Sequence, residues 1–141
     1  MITTISQLIA QTESAGNKWA IRFEPGFHPS TLNVKRCIDC AAPATMSFAT
    51  AETLCASSWS LYQIMGENVY DLGYRGNFLD YFVDEQKQLD IFNRYLQSRQ
   101  IDYDLETVLN DQLKRENFAR KYNGSAAYAD RLLAIYHRVN G

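Results

Sequence analysis

A chain of 141 residues, 46% hydrophobic and 13% aromatic, holds enough apolar material for one packed domain and too much for a disordered tail. Its net charge of -2, from 14 basic and 16 acidic residues, argues against a general electrostatic grip on nucleic acid. No apolar run approaches the roughly 20 residues of a membrane span, and "MITTISQLIAQTES" has no basic residue and no long apolar stretch, so neither a span nor a secretory signal is expected.

Residues 4–14 read as a helix. Ile5, Leu8, Ile9 and Thr12 recur at helical spacing, Thr4 with Gln7 suits a capping box, and Gly16 suits a stop. Residues 17–47 hold all three prolines, Pro25, Pro29 and Pro43, and are expected to form a small irregular β or loop region with little regular helix. Within them "WAIRFE" alternates as a short strand would. Residues 48–57 and 58–67 read as two short helices or one bent one, and 76–82 as a further turn. The clearest amphipathic helix is 83–100, with Leu89, Phe92, Tyr95 and Leu96 on one face. Residues 104–110, 111–122 and 126–139 complete the set, and Gly124 separates the last two. The expected architecture is mainly α: one domain over 1–141, with orthogonally packed helices and a small β or loop insert after the first.

Three cysteines occur. "CIDC", Cys37 to Cys40, has the spacing of half a zinc site, which Cys55 and His28 would have to complete. The second CxxC is missing, so a loop disulfide or free thiols is the plainer reading, with no metal and no cofactor expected.

The first helix carries a chemical oddity. Ile5, Ile9 and Glu13 are successive i, i+4 positions, so an apolar stripe ends in an acid. A carboxyl beside apolar surface ionises less readily, and a carboxylic acid kept protonated near neutrality is what general-acid cleavage of a glycosidic bond requires. The plainer alternative is a partly exposed glutamate at a helix end, or one paired with Lys18 or Arg22. Two later segments suit a sugar. Residues 56–74 crowd Trp59, Tyr62, Gln63, Asn68, Tyr70 and Tyr74 together, and 118–136 place Tyr122, Asn123 and Tyr128 around a glycine turn. Aromatic faces with amide and hydroxyl groups match a ring with one apolar face and a hydroxyl rim.

In order, "ES" at 13–14, "FE" at 23–24, "SWSLYQIMGEN" at 58–68 and "YNG" at 122–124 resemble the phage endolysin N-acetylmuramidases of the lysozyme-like superfamily. Goose-type lysozymes and lytic transglycosylases share a looser version. The resemblance covers residues 5–136. It implies a lysozyme-like α+β fold and cleavage of the β-1,4 MurNAc–GlcNAc backbone of peptidoglycan. It implies Glu13 as catalytic acid, and Ser60, Tyr62, Gln63, Asn68, Tyr122, Asn123 and Tyr128 as groove residues. Ser60 stands where the family usually has glycine, read here as a residue that lets backbone approach substrate, so a tighter groove is expected.

Glycoside hydrolases usually employ two carboxylates. Glu24, the glutamate of "FE", is the second candidate; its alternative is an ion pair with Arg22 or Arg36. Facing the groove, it would position water or stabilise an oxocarbenium-like centre. Facing away, it would leave that task to the substrate's N-acetyl group, as in a lytic transglycosylase. A non-catalytic glycan-binding or virion structural protein is the remaining alternative. The expected partners are glycan strands and other virion or lysis proteins. The expected place of action is the cell wall or periplasm after synthesis in a host cytoplasm, or the virion.

Overall fold

A computed structural model describes residues 1–141. Nine helices surround a three-stranded antiparallel sheet, a mainly α, lysozyme-like arrangement. In chain order these are α1 (Ile5–Ser14), β1 (Ile21–Phe23), α2 (Thr31–Cys40), α3 (Phe48–Cys55), β2 (Ser57–Trp59), β3 (Ile64–Met65), α4 (Gly66–Asp71), α5 (Phe78–Val83), α6 (Glu85–Ser98), α7 (Leu105–Asn110), α8 (Gln112–Asn123) and α9 (Tyr128–Asn140). No helix is long and apolar enough to cross a membrane.

α1 starts as its sequence predicts. The Thr4 hydroxyl accepts from Gln7 N and the Gln7 amide oxygen accepts from Thr4 N, which satisfies two of the donors a helix start leaves unpaired. The helix ends at Ala15, in the left-handed conformation at φ 53°, one residue before Gly16. Leu8 and Ile9 are fully buried and belong to a contiguous apolar cluster running from Ile2 to Leu132. α1 packs on α9, where the Arg131 guanidinium donates to Thr12 O at 2.8 Å and closes the last turn of α1. Asn140 clasps both backbone groups of Ile2, joining the two ends of the chain.

Two expectations fail here. The first concerns residues 17–47, where α2 forms a regular ten-residue helix. Pro25 and Pro29 precede it and Pro43 follows it, so the prolines bracket the helix and never interrupt it. Ser30 caps it by accepting from Asn33 N, and the Glu67 carboxylate of α4 accepts from Ser30 N. Asn33, fully buried, donates to Glu67 O and Asp71 Oδ1, tying α2 to α4.

The second concerns residues 58–67, which form β2, a tight turn and β3 rather than helix. Ser60 and Gln63 adopt positive φ of 70° and 50°, which no α-helix accommodates. β2 finds its other partner far back in the chain, with Ile21 opposite Trp59 and Phe23 opposite Ser57. The Trp59 indole goes into the core, its Nε1 donating to Leu54 O and its ring edge-on to Tyr70. Gly66 is obligatory there: a Cβ would lie 2.6 Å from Leu54 O and 2.7 Å from the indole.

The predicted 83–100 helix begins at Glu85, because Asp84 ends α5 and caps α6 through Gln86 N and Lys87 N. The other expected helices stand within two residues of their predicted bounds.

Candidate active site

Glu13 occupies the last full turn of α1 and is half-buried. Burial beside the core raises its pKa above the ordinary carboxyl value; a hydrogen bond from Tyr128 and the charges of Arg131 and Arg22 oppose that rise without cancelling it. The Tyr128 hydroxyl donates to Glu13 Oε1 at 2.7 Å. The Tyr128 phenol in turn is held far from ionisation, by its own burial first and by the neighbouring Glu13 carboxylate. It is therefore a dedicated donor.

Tyr128 is the first residue of α9 and is packed from behind. Its ring stacks on Tyr122 at 6.2 Å and 14°, and Tyr122 stacks on Phe118 at 5.8 Å and 12°. Phe118 and Tyr122 are one turn apart on α8, so they present their rings in sequence. Gly124, at φ 88°, ends α8 and turns the chain towards α9. The Tyr122 hydroxyl donates to Tyr62 O at 2.9 Å, which fixes this aromatic column to the β2–β3 turn.

Glu13 opens onto a cleft of about 250 Å³, and Glu24 lines the same cleft. Glu24 follows β1 directly. Its Oε1 accepts from Arg22 Nε at 2.9 Å and from the Ser58 hydroxyl at 3.2 Å. The Arg22 pair is mostly in water, with 75% of the Arg22 side chain exposed against 32% for Glu24. The register explains the grouping: Arg22 lies opposite Ser58, and Ser58 opposite Met65, so all three share one face of the sheet. That face is the floor of the cleft.

Of the other expected groove residues, Gln63, Asn68, Tyr122 and Asn123 line the cleft. Gln63 Nε2 donates to Ala20 O and Ser60 O, so its amide is oriented by the protein. Tyr128 acts from behind Glu13 rather than from the cleft wall. Two expectations are corrected. Ser60 is fully buried; its hydroxyl donates to Lys18 O and its N–H to Ala20 O, so it offers a sugar no surface. The glycine usual at this position suits its φ of 70°, and a tighter groove does not follow from the serine. Tyr62 is also buried, its ring stacked on Phe92 at 4.3 Å.

Arg22, Ser58 and Tyr95 line the cleft unanticipated, and Ile64 and Met65, which follow Gln63 in the sugar-suited 56–74 segment, line it too. The alternation of "WAIRFE" already placed Arg22 and Glu24 on one face of a strand, and that was the available signal. Tyr95 read as a packing residue of the α6 face. It is that, lying edge-on to Tyr122, but it also reaches the cleft wall and its hydroxyl donates to Tyr122 O. Arg36, the alternative partner for Glu24, pairs with Asp71 instead.

Cys37, Cys40 and Cys55 are free thiols on α2 and α3. No group of three or more His, Cys, Asp or Glu side chains is placed to hold a metal ion.

A half-buried carboxyl with a raised pKa, lining the same polar cleft as a second carboxylate, is an arrangement suited to glycoside cleavage. Comparison with known proteins agrees with it. The N-acetylmuramidase family profile matches residues 41–140, a span that takes in Ser58, Gln63, Asn68, Tyr122, Asn123 and Tyr128. The endolysin of Enterobacteria phage PRD1 is 32% identical over 92% of this chain and 92% of its own length. No solved structure gives a significant match. With the profile covering most of the chain and the relative nearly all of it, this protein belongs to the N-acetylmuramidase family.

Proposed function

We propose that this muramidase, a glycoside hydrolase of peptidoglycan, cuts the β-1,4 bond between MurNAc and GlcNAc with Glu13 as general acid. The observation that carries the reading is the Glu13 carboxyl itself: buried enough that its pKa is raised, open to the cleft, and held at Oε1 by Tyr128. With Oε1 engaged, Oε2 is the oxygen left to carry the proton to the leaving glycosidic oxygen. Loss of that proton yields a carboxylate that the Tyr128 hydroxyl, Arg131 and Arg22 stabilise, so the same groups favour the transition state in which the proton departs.

Glu24 is the second carboxylate of the reaction. Its side-chain hydrogen bonds and ion pair fall on Oε1, which leaves Oε2 to meet a water or the cationic face of an oxocarbenium-like sugar. Ser58 and Arg22 hold it in position. Gln63, Asn68 and Asn123 supply amide groups for the N-acetyl and hydroxyl substituents, and Tyr95 and Tyr122 supply apolar wall. This two-carboxylate arrangement supports hydrolysis over the transglycosylase route, which needs one protein acid. The setting is the cell wall, the protein being delivered there free in lysis or carried in a virion.

Mass spectrometry of digested peptidoglycan tests the proposal. Reducing MurNAc ends are the expected product. Anhydro-MurNAc ends would transfer Glu24's role to the substrate. Intact glycan strands after incubation with folded protein would refute catalysis altogether.

A further inference from the structure

Arg22 is only partly used by the reaction proposed above. The sheet register puts it with Ser58 and Met65 on the face that floors the cleft. Its Nε and Nη2 both converge on a single oxygen, Glu24 Oε1, each at 2.9 Å. A fork-to-fork pair would engage both carboxylate oxygens. Here the pair takes one oxygen, Nη1 makes no hydrogen bond to the protein, and the side chain is mostly exposed. Ser58 donates to the same oxygen, so holding Glu24 does not use up the guanidinium.

The charged residues that line the cleft are Glu13, Glu24 and Arg22. Gln63, Asn68 and Asn123 are amides that suit neutral N-acetyl and hydroxyl groups. Arg22 is thus the one cation of the cleft, set beside a carboxylate that would by itself repel an anionic substituent. Its charge is felt at Glu13 as well, whose pKa it lowers.

We propose that Arg22 is a specificity-determining residue of this cleft, donating through Nη1 to the 3-O-lactyl carboxyl group of MurNAc. The assignment deepens the function proposed above and rests on it for the direction of the glycan. In that reaction the bond breaks at C1 of MurNAc, so the oxocarbenium-like sugar beside Glu24 is MurNAc. Its O3 is two ring carbons from C1, and the guanidinium is bonded to Glu24, so the lactyl arm leaves the sugar close to a free, planar donor. GlcNAc differs from MurNAc only in lacking this arm. A donor for the arm therefore separates peptidoglycan from a chitin-like chain. In strands that carry stem peptides the carboxyl is an amide, and its carbonyl oxygen accepts from the same donor more weakly.

Equilibrium binding tests this with Glu13→Gln protein, too slow to consume its ligand, at neutral pH and low salt. The ligands are three tetrasaccharides: GlcNAc–MurNAc repeats with free lactyl carboxylates, the same chains amidated to neutral lactamides, and a chain of GlcNAc alone. Affinity is expected to fall about tenfold from carboxylate to amide, the scale that separates a hydrogen bond to a charge from a neutral one, and to fall again for GlcNAc alone. Adding Arg22→Gln should bring the carboxylate and amide chains to equal affinity, and Arg22→Lys should restore part of the difference. In turnover by the otherwise wild-type protein the same order should appear in KM, whereas Arg22→Gln should lower kcat on every chain by a common factor through the loosened Glu24.

Equal affinity for the carboxylate and amide chains would overturn the assignment, and that comparison needs no arginine variant. A preference that survives Arg22→Gln would overturn it too and leave Arg22 as a holder of Glu24. A preference abolished by Arg22→Gln, with no cleavage by wild-type protein, would uphold the lactyl contact and refute the reaction instead.

Discussion

The Tyr128 hydroxyl, at the start of α9, donates to Glu13 Oε1, near the end of α1, at 2.7 Å across 115 residues of sequence. This contact joins the acid to the aromatic column of Tyr122 and Phe118, and it makes the carboxyl a positioned group rather than a free helix end.

Glu13→Gln keeps the side chain's size and lets it still accept from Tyr128, but it has no proton to give. General acid–base assistance contributes ~10²–10⁴-fold. Lysis of wall preparations should fall by about that factor with the far-UV spectrum unchanged. Wall clearance at near wild-type rate by the folded variant would remove Glu13 from the mechanism.

The same substitution has a pH-dependent effect on stability. Burial raises the folded-state pKa of Glu13 above its ordinary 4.5, so the folded protein binds this proton more tightly than the unfolded chain does. The stability linked to that proton is fully present below the unfolded value and is lost as pH rises through the folded one. Glu13→Gln escapes this loss. Its Tm relative to wild type should therefore increase as pH climbs through that window and level off above it. A constant Tm difference across the range would mean the carboxyl ionises as it would in water.

Tyr128→Phe removes the donor and keeps the ring stack. The hydrogen bond lowers the Glu13 pKa, so its loss should move the alkaline limb of the pH–activity profile to higher pH. Turnover should fall about tenfold, roughly the worth of one lost hydrogen bond to a charge. A drop in turnover with an unmoved profile would indicate a packing role alone.

Glu24→Gln should lower turnover at least about tenfold while leaving stability within ~1 kcal/mol, because a pair with so exposed an arginine contributes little to folding. Ser58→Ala, which removes one contact on Oε1, should show a smaller loss in the same direction. Full activity in a folded Glu24→Gln variant, together with anhydro ends in the products, would establish the single-acid route.

Ser60→Gly relieves a positive φ of 70° and removes the hydroxyl's bond to Lys18 O. These effects oppose one another, so chemical denaturation should shift by no more than ~1 kcal/mol. Steady-state lysis should be unchanged. A marked rise in activity would return residue 60 to the groove.

The sequence was most informative where local chemistry decides local structure. Thr4 and Gln7 announce the start of α1, the 3.6-residue stripe of 83–100 announces α6, and Gly124 announces the break between α8 and α9. Proline misled because its count over 17–47 mattered less than its positions: none falls inside α2. The segment 58–67 misled because its strand pairing depends on Ile21–Phe23, which periodicity within a window cannot include.

Glu13 stood out from the sequence alone because i, i+4 spacing on one helix sets which side chains share a face, and Ile5, Ile9 and Glu13 do. The sheet register then decided that Arg22 and Ser58 meet at Glu24 Oε1, and the packing of α9 on α1 decided that the Tyr128 hydroxyl reaches Glu13. Burial reversed Ser60 and Tyr62, whose side chains turn into the protein although their neighbours Gln63 and Ile64 face the cleft. A motif specifies which residues are near one another in sequence. The direction each one points is set by a backbone angle and by partners that arrive from distant segments, and those exist only in the folded chain.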